Sequence, residues 1–376
     1  AAQVARRMRY ELAALQVYEV GKARSEADAD VCEAIDFLEY YGRDMLRLSI
    51  PRRMGDVPGE ISQLFYEPRG TAVVIAPWNF PLGISMGMVS AAIVTGNTVV
   101  YKPASQSPVI GSMVSKIFEE AGLPAGVLNF LPGPGELVGD RLVTHPDVAL
   151  IAFTGSKEVG LGIVEHAARS DPRAGAVKQV ITEMGGKNAI ILDSDADLDE
   201  AVVHVLHSAF GYQGQKCSAC SRLIVLEENY ERFVDRLKAA AESLNLGSPE
   251  EPGNVVGAVI DASAQRKIME YIEIGKREGT LLLERQIPGN GGHFTSLAIF
   301  TGILPEHRLA REEIFGPVLA VMKARDFQEA LTLANDTSYA LTGAVFSRSP
   351  ANIAHATREF RTGNLYINRG CTGAIV

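Results

Sequence analysis

The sequence predicts an α/β protein built from two domains with parallel sheets. From Thr71 onward, short and continuously apolar runs alternate with helical stretches, the pattern of parallel strands covered on both faces. The alternation comes in two series, one from Thr71 to Phe153 and a second beginning near Ala189. A chain of 376 residues has room for two or three domains at ~150 residues each.

Residues 1–48 read as helices: Leu12, Leu15, Val31, Ile35 and Leu38 recur at helical spacing around a polar stretch from Gly21 to Asp30. Pro51 to Gly70 is rich in Pro and Gly around a short apolar run, Ile61 to Tyr66, which suits an extended arm or hairpin. The first α/β series then places strands at Thr71–Ala76, Thr98–Tyr101, Val127–Leu131 and Ala149–Phe153. Helices fall at about Leu82–Val94, Pro108–Ala121 and Glu136–Thr144. A further strand, Ala176–Thr182, leads into the second series. There Ala189–Leu192 and Arg222–Leu226 read as strands, Asp197–Phe210 and Asn229–Leu244 as helices, with more α/β units through Leu365. Gly247–Gly257 and Pro288–Gly292 read as loops. Two such domains imply a crevice in which a cofactor and a substrate would meet.

Composition narrows the function classes. The hydrophobic fraction of 47% supports a sizeable core, and a net charge of −9 without a basic run argues against nucleic acid or an anionic membrane as partner. Four cysteines in a chain this long make no disulfide framework and point to a reducing compartment. No apolar run approaches the ~18 residues of a membrane span, and no signal peptide is expected, since no basic-then-apolar pattern is read. The chain opens on Ala1 and stops on Ala374-Ile375-Val376, so both ends are expected to be cut.

Six segments carry chemistry. Gly214-Gln215-Lys216-Cys217-Ser218-Ala219-Cys220 offers Cys217 as a nucleophile beside a lysine that favours the thiolate. Read alone, the same residues could be buried small hydrophobes or a redox pair. No second Cys pair or Cys/His cluster completes a zinc site, so no metal is expected. Glu183-Met184-Gly185-Gly186-Lys187 places a carboxylate at a strand end beside two glycines that let backbone approach a ligand. Such a carboxylate can activate water or simply be solvated. Asn79, in Pro77-Trp78-Asn79-Phe80-Pro81, can donate to an oxyanion or cap the following helix. Lys102-Pro103-Ala104-Ser105 and Phe153-Thr154-Gly155-Ser156 lie at carboxyl ends of parallel strands, where open α/β sheets bind ligands. Gly155 and Ser156 also open a helix whose N–H groups could take a phosphate. Glu312-Glu313-Ile314-Phe315-Gly316-Pro317, read alone, is a solvated acidic turn. None of the seven His residues lies in a metal or Ser-triad spacing.

In this order the segments Pro77–Pro81, Lys102–Ala104, Phe153–Ser156, Glu183–Lys187, Gly214–Cys217 and Glu313–Pro317 resemble the aldehyde dehydrogenase superfamily over nearly the whole chain. The resemblance implies an aldehyde dehydrogenase-like fold: two Rossmann-like parallel α/β domains plus a small extended oligomerisation arm. It implies an NAD-binding domain at 1–50 and 71–184, the arm at 51–70 and a catalytic domain at 185–376. Cys217 would be the nucleophile and Glu183 the base, and Asn79 with the Cys217 N–H would form the oxyanion hole. For NAD, Lys102 would hold the adenosine ribose, Ser156 the pyrophosphate and Glu313 the nicotinamide ribose, with Phe315 beside the ring. Ala76, Pro77, Trp78, Ser105 and Gly155 would line the cofactor. Ser105 stands where many NAD-preferring relatives carry Glu.

Gln215 to Arg222, Gly363 to Arg369 with Thr372-Gly373-Ala374, and Ala34 to Tyr41 are similar to Δ1-pyrroline-5-carboxylate dehydrogenases. That resemblance implies oxidation of L-glutamate γ-semialdehyde to glutamate in proline catabolism, with Ser218 near the aldehyde. Gly373 and Ala374 would cradle the substrate carboxylate with backbone N–H groups. The same domain occurs alone and fused to a proline dehydrogenase in bifunctional proline utilisation A proteins. A homo-oligomer is implied for the full chain, in the cytoplasm or, for a eukaryotic protein, the mitochondrial matrix. The family continues past Val376 with a Pro-Phe-Gly-Gly loop and a C-terminal strand, so an incomplete dehydrogenase is expected. The competing readings are another aldehyde dehydrogenase, such as a succinate semialdehyde type or a CoA-dependent acylating one, and a non-catalytic protein retaining the fold.

Overall fold

Strands and helices alternate along most of the chain because β-branched runs and amphipathic helices alternate in its sequence. The computed structural model describes residues 1–376 apart from 170, 172, 176, 290 and 374–376. The described chain forms two compact units, Ala1–Val20 with Arg24–Met184, and Gly21–Ala23 with Gly185–Val376.

The first unit opens with helices α1 (Ala2–Arg7), α2 (Arg9–Val20) and α3 (Arg24–Leu48). The polar stretch expected to separate the early helices breaks them only at 21–23, and Glu26 to Asp30 are already helical. Ala27 and Asp30 are buried there, so tertiary packing overrides a polar local sequence. Val31, Ala34 and Ile35 of α3 pack in one core with Ala72, Val74, Leu82 and Met86. The Pro/Gly-rich segment forms an exposed hairpin in which β1 (Arg52–Arg53) pairs antiparallel with β2 (Gln63–Leu64).

The sheet that follows has five parallel strands: β3 (Thr71–Ile75), β4 (Thr98–Lys102), β5 (Leu128–Phe130), β6 (Val148–Thr154) and β7 (Gln179–Glu183). Helices α4 (Gly83–Val94), α5 (Pro108–Glu120), α6 (Gly135–Thr144) and α7 (Lys157–Ala168) connect them in turn. The spatial order is β5-β4-β3-β6-β7. The chain therefore winds outward from β3 on one side, then returns to β6 on the other. Loops leaving the carboxyl ends of β3 and β6 diverge there, which opens the ligand crevice of a doubly wound sheet. The last strand starts at Gln179, while Ala176, where the sequence places its start, lies outside the described residues.

The second unit carries seven strands in the order β10-β11-β12-β9-β8-β13-β14. These are β8 (Asn188–Leu192), β9 (Cys220–Leu226), β10 (Thr280–Gln286), β11 (Ser296–Thr301), β12 (Val318–Ala324), β13 (Thr342–Phe346) and β14 (Asn364–Ile367). Helices α8 (Leu198–Phe210), α9 (Tyr230–Glu242), α10 (Ala262–Glu278), α11 (Arg308–Arg311), α12 (Phe327–Asn335) and α13 (Pro350–Glu359) lie between them. Core clusters flank the sheet, one with Ile191, Ile224, Phe300 and Val345, the other with Ile190, Leu223, Ile299 and Phe346. Neighbouring strand residues point to opposite faces, so both faces are buried and the strands read as unbroken apolar runs. One strand departs from the parallel pattern. β10 runs antiparallel to β11, joined to it by a loop with no crossover helix.

Candidate active site

In the first unit the candidate residues gather along the carboxyl edge of the sheet. Ala76, Pro77, Trp78 and Asn79 follow β3, Lys102 ends β4 with Ser105 beyond it, Gly155 and Ser156 follow β6, and Glu183 ends β7. Ala76 and Asn79 are buried. The Ala76 N–H donates to the Lys102 carbonyl at 3.1 Å, and the Gly155 N–H to the Glu183 carbonyl at 3.0 Å, so these loops extend the strand pairing. Lys102 is buried, its ammonium donates to Pro103 O at 3.2 Å, and burial lowers its pKa. Ser105 Oγ donates to Gly133 O at 3.5 Å.

Gly155 has to be glycine, because a Cβ there would meet the Phe153 ring at 2.6 Å. Ser156 is the N-cap of α7, its Oγ accepting from Val159 N at 3.4 Å. The start of that helix is exposed, with backbone donors suited to an anion. The helix after Asn79 is capped from elsewhere. The carboxylate of Asp30, itself buried, accepts from Leu82 N at 3.3 Å and Gly83 N at 3.2 Å. That cap comes from far along the chain, where no local signal announces it.

In the second unit three of the candidate segments lie where strands begin. Gly185–Lys187 lead into β8, Cys217–Ala219 into β9, and Glu313–Pro317 into β12. The carboxyl-edge rule thus describes only the first sheet. Glycines draw the three segments together. A Cβ on Gly185 would collide with the Glu313 carboxylate, and one on Gly186 with the Cys217 carbonyl oxygen. Gly214 packs in the same way on the carbonyl of Gly316. Phe315 sits at φ 60, a left-handed conformation that turns the chain between Glu313 and Gly316. A small, solvent-open cleft is lined by Gly186, Gly214, Lys216, Cys220, Glu313 and Phe315 among others.

The Glu312–Glu313 pair divides into two environments. Glu312 is ion-paired with Arg308, whose Nη2 lies 2.9 Å away, and bonded to the Tyr271 hydroxyl. Glu313 instead accepts the Gly186 N–H at 2.8 Å on Oε1. Burial raises the Glu313 pKa against the lowering pull of that N–H and of Lys267 and Lys187. Lys267 of α10 also donates to the Glu313 carbonyl at 2.9 Å. Lys187 is buried with no hydrogen-bond partner on Nζ among the described residues, and burial first, then Arg222, lowers its pKa to about 7.

Cys217 is partly exposed, whereas Cys220 is buried at the start of β9. Burial and a hydrogen bond with Cys371 raise the Cys220 thiol well above its ordinary range. Cys220 therefore fits the buried-hydrophobe reading, and its thiol neighbour is Cys371. The Ser218 carbonyl accepts from Thr342 Oγ1 and Cys371 Sγ, each at 3.4 Å. Gly373 takes φ 75, and Arg369 Nη2 donates to the carbonyls of Thr372 at 3.2 Å and Gly373 at 3.1 Å. Ala374 lies outside the described residues. Among the described residues, no group of three His, Cys, Asp or Glu side chains is placed to hold a metal, and no helix is long and apolar enough to cross a membrane.

Sequence reasoning passed over Asn188, Lys267, Arg222 as a side chain, and Asp30. Asn188 adjoins a quoted motif and had a signal, a polar amide opening an apolar strand. Buried Arg222 donates to the carbonyls of Lys187, Leu333 and Ala334.

The sequence matches the aldehyde dehydrogenase family across residues 1–376. It is 52% identical over all 376 residues to 1-pyrroline-5-carboxylate dehydrogenase of Geobacillus thermodenitrificans, spanning 73% of that protein. The corresponding protein of Bacillus subtilis is 48% identical over the same span. Proline utilization A of Bdellovibrio bacteriovorus, solved after inactivation by N-propargylglycine, superimposes with a TM-score of 0.98 at 53% identity; the match covers 100% of this chain and 39% of that one. The Thermus 1-pyrroline-5-carboxylate dehydrogenase solved with bound NAD gives 0.97 at 51% identity, covering 100% of this chain and 73% of that one.

Proposed function

Because this chain belongs to the aldehyde dehydrogenase family, we propose that it oxidises L-glutamate γ-semialdehyde, the open form of Δ1-pyrroline-5-carboxylate, to glutamate with NAD. The observation that carries the reading is the glycine junction of the second unit. Gly185 and Gly186 pack the Glu313 carboxylate and the Cys217 loop on adjacent residues, in a chain about half identical to 1-pyrroline-5-carboxylate dehydrogenases.

The residues present fit NAD. The switch point between β3 and β6 offers Ala76 to Trp78, buried Lys102, Ser105, Gly155 and the exposed helix start at Ser156. Glu313, one oxygen of which accepts the Gly186 N–H, suits a ribose hydroxyl, and Phe315 follows it. The chemistry that NAD would supply when bound is that of the hydride acceptor. The chain supplies the remainder. The Cys217 thiolate adds to the aldehyde carbon. The Asn79 amide and the Cys217 N–H stabilise the oxyanion. Once the carbon is oxidised, Cys217 carries a thioester. Glu183 takes a proton from water, which attacks the thioester and frees glutamate and the thiol. Ser218 would lie beside the aldehyde, and the Gly373 backbone would help hold the substrate carboxylate, a role that the resemblance also gives to Ala374, outside the described residues.

The first unit is the NAD-binding domain, the second the catalytic domain, and the hairpin an assembly arm whose exposed Ile61, Phe65 and Tyr66 suit a partner copy. A cytoplasmic homo-oligomer follows from this reading, as does a possible place beside a proline dehydrogenase in a longer chain. Side-by-side assays of glutamate semialdehyde and succinate semialdehyde test the substrate. Higher kcat/KM for the former supports the reading, and preference for the latter refutes it.

A further inference from the structure

We infer that Asn188 is a positioning residue for the Cys217 nucleophile, acting through the backbone carbonyls of the loop that carries it. Asn188 is the first residue of β8 and is buried. Its Nδ2 donates to Cys217 O at 2.7 Å and to Ala219 O at 2.9 Å, using both amide protons on the nucleophile loop. Its Oδ1 accepts from Thr342 N, the first residue of β13, at 3.0 Å. One side chain thus ties the starts of two strands to the segment between them.

The hydrogen bond to the Cys217 carbonyl fixes the peptide plane after the nucleophile, and with it the direction of the Cα–Cβ bond from which the sulfur projects. The intervening Ser218 carbonyl is held by Thr342 and Cys371, so three successive carbonyls are pinned by side chains. Packing supports the same geometry: a Cβ on Gly186 would collide with both the Cys217 carbonyl and the Asn188 amide. The arrangement leaves the thiol itself out of the hydrogen bonds made by Asn188, so it restricts orientation without consuming the nucleophile.

This inference rests on Cys217 being the nucleophile, and its test separates the two. The alkylation rate of Cys217 by iodoacetamide is measured across pH without NAD or aldehyde, in the parent, Asn188→Asp and Asn188→Ser. Asn188→Asp keeps the shape but turns a carboxylate oxygen toward two carbonyls. Asn188→Ser is too short to reach both, and it carries the comparison should the Asp variant fail to fold. NAD affinity and the thermal midpoint report folding. The expected result is a Cys217 alkylation rate changed about tenfold or more and kcat reduced ~10–100-fold, with the KM for NAD within about twofold. An unchanged alkylation profile and kcat in folded variants overturn the inference. A parent Cys217 that alkylates no faster than a free thiol overturns the nucleophile assignment instead.

Discussion

The backbone N–H of Gly186 donates to Glu313 Oε1 at 2.8 Å, while Gly185 leaves no room for a side chain against the same carboxylate. Two loops distant in sequence therefore share one fixed carboxylate. Gly185→Ala forces that carboxylate aside or moves the loop, either of which disturbs the proposed ribose contact. The expected outcome is a KM for NAD raised about tenfold and a stability loss of ~1–3 kcal/mol, the usual range for overpacking. Titration with NAD alongside urea unfolding checks both. An unchanged NAD affinity would remove Glu313 from the cofactor site.

Lys187 makes stability depend on pH. Its folded pKa of about 7 lies below its ordinary 10.5, so between these values the unfolded chain binds the extra proton. Stability from this group therefore rises with pH through that window, and the full cost of the buried charge is felt below about pH 7. The groups acting on the amine are Arg222, which disfavours the charge, and Glu313, Cys220 and Glu312, which favour it. Lys187→Met is expected to exceed the parent by about 1–4 kcal/mol near pH 6. That margin should shrink as pH climbs. Urea midpoints at pH 6 and pH 9.5 measure it, and a margin that does not change with pH contradicts the assignment.

Asp30 and Asn79 are expected to fail in different ways. Asp30→Ala removes the carboxylate that caps α4 and should cost ~1–2 kcal/mol of stability, with kcat of the folded protein retained. Asn79→Ala should lower kcat ~100-fold, the typical loss for one oxyanion donor. Parallel thermal and kinetic measurements separate them. Equal kcat losses in both variants would make Asn79 a packing residue.

The thiols should react in order of burial. Brief iodoacetamide treatment of the native protein, read by peptide mass, is expected to label Cys217 while Cys220 and Cys371 remain protected until unfolding. Labelling of Cys220 in the native state would restore the redox-pair reading of Cys217 and Cys220.

What could be read from sequence was local. The strand series and the glycine-flanked motifs are short-range patterns, and the resemblance they carry points to the fold and family seen here. What escaped depends on distant partners. Nothing near Asp30 announces that it caps a helix that begins at Gly83, and nothing on α10 marks Lys267 as a partner of Glu313. The antiparallel β10 was hidden for a related reason, because an apolar run does not state its direction. The contacts that draw the second unit's loops together follow from glycine packing, which appears only once those loops are folded.

The central claim is a covalent route through Cys217 with Glu183 as the base that frees it. Glu183→Gln mixed with NAD and glutamate semialdehyde, followed by stopped-flow absorbance and intact-protein mass, tests it most directly. The account predicts a burst of NADH near one equivalent per site, then slow turnover, with a glutamyl thioester accumulating on Cys217. Steady turnover at the parent's rate with no burst and no adduct would contradict it.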